Sequence, residues 1–367
     1  MRILPRTENY ETEFEELRLS IDVSTATKGR KQEDEKWFKR SEKNIYDYDL
    51  DQDNAKIVCI TDGLTFFGRT IVERLLLHGY TVRVIVNTPD DLERVRAMKD
   101  ETAKFHGRIE EVSAKLTETE SLVDAFDGCY GVFHTSGFID PSGVSGYSKY
   151  MVEIEAKVSE NVMNACTMTQ SVRRCLMTSS LLACLWQNST QLGRRSVIDH
   201  SSWSDESLCK DKKLWYALGK LKAEKIAWKI AEDKGFKLST ICAALVTSLN
   251  ILHHNPTPTI AYLKGGEEMY GNGVLATVDV NTLAKVHVKV YEEMNKASFG
   301  RYVCFDKVIT GEYEAVELAN ETSISLERIR GDKYDFCEKD LTKPFCLSNR
   351  RLSSLMSTTY PISCLES

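Results

Sequence analysis

Short apolar runs rich in β-branched residues alternate along this chain with stretches in which apolar positions recur every three or four residues. The first run, Lys56-Ile57-Val58-Cys59-Ile60-Thr61, has the length and composition of a buried parallel strand. After a turn, Phe67, Ile71, Leu75 and His78 fall at helical spacing within Phe66 to His78. Gly79 is a natural residue to end that helix, and Tyr80 to Val86 reads as the next strand. Farther on, Arg173 to Ser180 is a strand, Trp215 to Lys234 is one long helix stopped by Gly235, and Leu238 to Val246 is another core strand. Beyond about Thr247, a helical stretch from Asp279 to Glu293 and a short strand from Arg301 to Phe305 are expected to build a smaller lobe. No internal repeat is visible.

These patterns predict an α/β fold, a Rossmann-type doubly wound parallel sheet over residues 55–246 with a smaller C-terminal substrate lobe over 247–367. Two lobes sharing one sheet suit a chain of this length better than separate domains. In the opening βαβ unit the strand-to-helix turn is Thr61-Asp62-Gly63-Leu64-Thr65-Phe66-Phe67-Gly68. At such a turn a dinucleotide pyrophosphate meets backbone N–H groups and the positive end of a helix.

Tyr216 and Lys220 lie four residues apart on the long helix, which follows a strand ending Thr178-Ser179-Ser180. An i, i+4 pair shares one helix face, so an acid and a cation can point together at a substrate carbonyl. A free tyrosine has a pKa of about 10, and an adjacent ammonium is expected to lower it. Ser180 can hold the carbonyl oxygen. Tyr-x-x-x-Lys is weak by itself, since an aromatic packing edge beside a solvated lysine has the same spacing.

Four stretches together carry a more specific signal. They are Gly128-Cys129-Tyr130-Gly131-Val132-Phe133-His134-Thr135, Arg174-Cys175-Leu176-Met177-Thr178-Ser179-Ser180, Asp199-His200-Ser201-Ser202-Trp203-Ser204-Asp205, and the Tyr216 helix ending Ala223-Glu224-Lys225-Ile226-Ala227-Trp228. From about Lys56 onward the chain resembles the extended short-chain dehydrogenase/reductases, specifically a diverged branch of the plant cinnamoyl-CoA reductase and dihydroflavonol reductase group. The resemblance implies a catalytic set of Ser180, Tyr216 and Lys220. It implies NADP(H) as cofactor, with NAD(H) as the alternative, and cofactor contacts from Thr61, Gly63, Thr65, Phe66, Phe67, Gly68, Arg94, Lys115 and Lys220.

The departures from that family are local. Its Thr-Gly-x-x-Gly-x-x-Gly turn places glycines where this chain has Asp62 and Thr65, and only the third is kept, as Gly68. A carboxylate about 4 Å from a pyrophosphate charge is repelled by ~1 kcal/mol in water and ~4 kcal/mol at an effective dielectric near 20. Alternatively Asp62 or Thr65 caps the helix, which both residue types do well. The family's arginine after the second strand falls on Asn87, with Arg94 as a second basic residue. Its adenine-side aspartate falls on Lys115, its later Asn-Pro on Cys242-Ala243, and its active-site asparagine on Lys157. The reductase signature Asn-Trp-Tyr-Cys-Tyr-Gly-Lys here reads Leu214-Trp215-Tyr216-Ala217-Leu218-Gly219-Lys220.

Composition narrows the function classes. Of 367 residues 42% are apolar, enough for a large core, and a net charge of −6 argues against a nucleic-acid role. Eleven cysteines are scattered without Cys-x-x-Cys pairs, so reduced thiols in a cytoplasmic protein and no metal centre are expected. Residues 1–54 are dense in charge, lack a sustained apolar period and are expected to form a tail. No apolar stretch approaches a membrane span. The expected partner is a small aromatic or CoA-ester substrate, reduced at a carbonyl or thioester, and the sequence leaves the oligomeric state open. The altered turn keeps a second class in play, a nucleotide-binding or interaction protein that retains the fold without turnover.

Overall fold

The computed structural model describes residues 56–102, 108–135, 147–187, 196–248, 256–294, 298–331 and 344–357. The expected tail, residues 1–54, lies outside them. The N-terminal half alternates strand and helix: β1 (Ile57–Ile60), α1 (Phe66–Leu77), β2 (Thr81–Val86), α2 (Pro89–Glu101), β3 (Ile109–Ser113), α3 (Thr119–Phe126), β4 (Gly131–His134), α4 (Lys149–Met168) and β5 (Arg174–Ser180). Then come α5 (Leu182–Leu185), β6 (Ser196–Ile198), α6 (Glu206–Asp211), α7 (Trp215–Lys234), β7 (Lys237–Ala243) and β8 (Leu245–Thr247). The remainder holds α8 (Pro256–Tyr262), α9 (Gly266–Gly271), β9 (Ala276–Asp279), α10 (Val280–Glu293), β10 (Arg301–Cys304), β11 (Lys307–Val308), α11 (Glu312–Thr322), α12 (Leu326–Arg330), β12 (Phe345–Leu347) and α13 (Arg350–Ser357).

Seven strands form one parallel sheet in the order β10-β7-β5-β4-β1-β2-β3. Chain direction across the sheet reverses between β1 and β4, the switch point at which α/β sheets open a crevice beyond their strand ends. Register aligns the strands there: Ile60 lies beside Phe133, and Ser180 beside Ala243. The residues that follow β1, end β4 and end β5 therefore share one edge.

Local sequence explains the helices that flank this edge. Gly235 ends α7 in a left-handed conformation (φ 61°), where a Cβ would be strained. Along α7, Ala223, Ala227 and Ala231 repeat at four-residue spacing on the buried face. Such small side chains let α4 approach closely, and the Ser159 hydroxyl donates to the Ala223 carbonyl at 2.8 Å. Beneath them, a buried Glu224 carboxylate takes Arg301 Nε at 2.8 Å, the Ser179 hydroxyl at 2.7 Å and the Thr240 hydroxyl at 2.6 Å. One carboxylate thus ties α7 to β5, β7 and β10.

The C-terminal region departs from expectation in one respect. The strand starting at Arg301 was expected in the smaller lobe, yet β10 pairs with β7 and extends the central sheet. The pairing is long-range, and it is fastened by the Arg301 guanidinium on Glu224 and over the Trp203 ring at 3.5 Å. Helix α10 likewise packs on α1, where the Phe67 ring meets His287 edge-on at 5.1 Å. What remains peripheral is a three-stranded sheet, β11-β9-β8, with α8, α9, α11 and α12, and a separate β12-β6 pair.

Candidate active site

Beyond the ends of β1, β4 and β5 lies a cleft lined by Thr65, Phe66 and Phe67 on one side and by Ser180, Tyr216 and Lys220 on the other. Ser180 is buried at the end of β5, where its Oγ accepts the Leu182 N–H at 3.2 Å and, among the described residues, its own hydrogen remains available to donate. Tyr216 and Lys220 lie in the first turns of α7, with the ammonium 5.5 Å from the tyrosine ring centre. The three residues inferred from the resemblance are thus brought to one place.

The electrostatics of that place differ from the expected tyrosine lowered by a bare ammonium. The Lys220 ammonium pairs with the Glu155 carboxylate of α4, both side chains less than a tenth exposed. On its other side Glu155 accepts the hydroxyl of buried Tyr147. Tyr216 consequently titrates above an ordinary tyrosine, raised by burial, lowered by Lys220 and raised again by Glu155. Burial opposes the charge of Lys220, but Glu155 and Tyr216 outweigh it, so its pKa is raised and it stays an ammonium. His134, buried at the end of β4, is held neutral, pushed down to about 3 by burial and by Lys220.

Glu155 was not among the residues singled out in the sequence. The family's active-site asparagine was assigned to Lys157, but that side chain is 45% exposed and pairs with Glu160 at 2.8 Å, away from the cleft. A signal was present: Met151, Ile154, Glu155, Val158 and Val162 form the buried stripe of α4, and a carboxylate on an apolar stripe calls for a partner.

At the other side of the cleft, Thr65 is the N-cap of α1, its hydroxyl accepting the Gly68 N–H at 3.2 Å. Asp62 does not cap the helix; its Oδ1 accepts the Thr65 N–H at 3.4 Å. Burial pushes the Asp62 carboxyl up to about 6, against the lowering by the Thr65 N–H and by Arg94. Gly68 has no substitute, since a Cβ there would stand 1.9 Å from the Asp62 carbonyl oxygen. Gly63 packs beneath the turn, where a Cβ would lie 2.9 Å from side chains of Ile60 and Val84. Thr61 ties β1 to β4, with its Oγ accepting the Thr135 N–H at 3.1 Å and lying 3.1 Å from His134 Nδ1.

Two further expected contacts stand apart. Arg94 reaches back from α2 to donate to the Leu64 carbonyl at 2.6 Å and to Asp91 at 3.4 Å, so it braces the turn from its outer side. Lys115 pairs with Glu118 at 3.2 Å at the surface and does not line the cleft. Asn87 offers its backbone N–H to Asp91, whose carboxylate is committed to a capping box with Thr88.

The residues present fit a dinucleotide. A helix N-terminus faces the cleft through Thr65, Phe66 and Phe67, Gly68 allows the close turn, and Lys220 supplies a cation at the opposite wall. Among the described residues no helix is long and apolar enough to cross a membrane.

Residues 59–245 match the model of the 3-beta hydroxysteroid dehydrogenase/isomerase family. The chain is 34% identical over 310 residues to cinnamoyl-CoA reductase 1 of Petunia hybrida, an alignment covering 82% of this chain and 87% of that one. It is 31% identical over 299 residues to tetraketide alpha-pyrone reductase 1 of Arabidopsis thaliana, covering 78% and 89%. In fold it is similar to vestitone reductase from alfalfa (TM-score 0.56, 22% identity, covering 82% of this chain and 91% of that one). It is also similar to a yeast methylglyoxal/isovaleraldehyde reductase complexed with NADPH (TM-score 0.61, 15% identity, covering 82% and 93%). The chain belongs to the 3-beta hydroxysteroid dehydrogenase/isomerase family of the extended short-chain dehydrogenase/reductases, and so is an NAD(P)-dependent oxidoreductase acting on a carbonyl or thioester.

Proposed function

We propose that this protein is an NADPH-dependent reductase of phenylpropanoid-type compounds, acting on an aromatic carbonyl or acyl-CoA thioester in the manner of its cinnamoyl-CoA reductase relatives. The observation that carries this reading is the convergence of Ser180, Tyr216 and Lys220 on the cleft that the N-terminus of α1 also lines. Thr65, Phe66, Phe67 and Lys220 would hold the cofactor, and Arg94, which donates to the Leu64 carbonyl of the turn, is the candidate cation for a 2′-phosphate. When bound, NADPH supplies the hydride. Ser180 donates to the carbonyl oxygen of the substrate, Tyr216 gives that oxygen its proton, and Lys220 binds ribose hydroxyls and biases the tyrosine. With a thioester the first product is a hemithioacetal that collapses to an aldehyde and free CoA; with a ketone or aldehyde the alcohol forms directly.

A second reading, a cofactor-binding protein without turnover, draws support from the carboxylate in the phosphate turn and from the neutralised Lys220. Calorimetric titration with NADPH and NADH, followed by NADPH oxidation assays with hydroxycinnamoyl-CoA thioesters and with aromatic aldehydes and ketones, separates the two. Tight NADPH binding with turnover of one substrate class is the expected result. Binding without turnover of any class would establish the second reading.

A further inference from the structure

Around Tyr216 and Lys220 the charged and titratable groups come from several elements. Lys220 shares α7 with Tyr216; Glu155 comes from α4; Tyr147 precedes α4; Tyr262 ends α8. His134 stands at the end of β4, Asp62 lines the same cleft, and Lys264 lines a separate small cavity that also reaches Tyr216. Of these, only Glu155 touches the lysine ammonium, and it does so in a buried ion pair. The pair is built into the packing. The Tyr147 hydroxyl that donates to Glu155 also reaches the Met151 carbonyl at 3.3 Å, and its ring meets Tyr216 edge-on at 5.0 Å. Position 219 must be glycine for this, since a Cβ there would stand 2.5 Å from the Tyr147 oxygen.

An ammonium lowers the cost of ionising a nearby phenol only to the extent that its charge is unopposed. Here a carboxylate sits against that ammonium in a dry environment, where screening by water is weak. The lowering that Lys220 exerts on Tyr216 is therefore partly offset by Glu155. Resting on the reading of Tyr216 and Lys220 as the reacting pair, we infer that Glu155, oriented by Tyr147, is a positioning residue that fixes the Lys220 ammonium and, by neutralising it, governs how readily Tyr216 exchanges its proton. Glu155 acts through Lys220 and needs no contact with substrate.

Glu155→Gln keeps the size and hydrogen-bonding reach of the side chain and removes its charge, whereas Glu155→Asp keeps the charge. Ionisation of Tyr216 can be followed without turnover, as the ultraviolet difference between each protein and its Tyr216→Phe counterpart over a pH titration. In Glu155→Gln the tyrosinate should form at a pH lower by about one unit, the low end for a charge at this range. The alkaline limb of NADPH-dependent reduction, which needs Tyr216 protonated, should move by the same amount. Glu155→Asp should leave both where they are in the wild type. An unmoved titration in Glu155→Gln, or an equal shift in Glu155→Asp, would overturn the inference. If Glu155→Gln does not fold, the wild-type titration still tests the inference: ionisation of Tyr216 below about 9 overturns it. Absence of turnover in the wild type would count against the reductase reading alone, because the absorbance titration still tests Glu155.

Discussion

The two walls of the cleft have diverged in opposite ways. On the α7 wall the side chains expected to react are Ser180, Tyr216 and Lys220, the residue types the resemblance implies, and a buried carboxylate, Glu155, is set against the lysine. On the α1 wall Asp62 and Thr65 stand where the resemblance places glycines, and the turn is held by Thr65 capping the helix and by Gly68 allowing the backbone to pass. Chemistry that depends on particular functional groups tolerates little change in those groups but can be retuned from behind. A phosphate turn depends on backbone path, so its side chains can change if the path survives.

The walls also differ in how firmly they are built. Glu224 holds α7 to three strands through buried hydrogen bonds and an ion pair, whereas the turn at Asp62 is half-buried and held by single hydrogen bonds. Glu224→Gln should therefore be the most destabilising change considered. It leaves the Arg301 guanidinium buried without its counter-charge, at a cost of about 3–5 kcal/mol in urea unfolding experiments. A loss under about 1 kcal/mol would mean that the network is not what fastens β10 and α7 together.

Tyr216→Phe separates the walls by function. Removing the proton donor should lower the reduction rate at least about a hundredfold, the low end for general acid catalysis, and leave NADPH affinity unchanged. Turnover close to wild type would sink the role given to Tyr216. A matching loss of NADPH affinity would show that the two walls do not act separately.

Much of the sheet could be read from the sequence because buried parallel strands and capped helices leave local marks. The apolar run into Thr61, the glycine after α1 and the Gly235 stop of α7 each mark a boundary to within a residue or two. The pairing of β10 with β7 left no such mark, since it joins segments some sixty residues apart and is fastened by Arg301 meeting Glu224 of α7. The reacting residues were legible through spacing and resemblance, but their electrostatics were not. Tyr216 was expected to be lowered by Lys220, and its rise depends on burial and on Glu155, which lies more than sixty positions earlier on another helix.

On the α1 wall the expected effects are smaller. Thr65→Ala removes the cap on the Gly68 N–H and should cost about 1 kcal/mol of stability, read from the same urea transitions. NADPH should also bind more weakly, because the first turn of α1 is less well held. No change in either quantity would place the cap elsewhere.

The smallest expected effect tests the carboxylate itself. Asp62→Asn keeps an oxygen that can accept the Thr65 N–H and removes the charge facing a dinucleotide. The wild-type carboxyl, pushed up to about 6 by burial, is protonated below that pH and charged above it. Wild-type affinity for NADPH should therefore fall as pH rises through about 6, while the asparagine variant lacks that step. At pH 8 and low salt the variant should bind about fivefold more tightly, ~1 kcal/mol, with the difference shrinking at high salt and vanishing near pH 5. Stability has a matching sign. A carboxyl raised in the folded state binds a proton that the unfolded chain has already lost, so wild-type stability falls between about 4, the ordinary aspartate value, and about 6, then levels off. The asparagine variant should lack this fall as well. Equal affinities at pH 8 and low salt would mean that Asp62 turns away from the pyrophosphate and serves only to hold the Thr65 N–H.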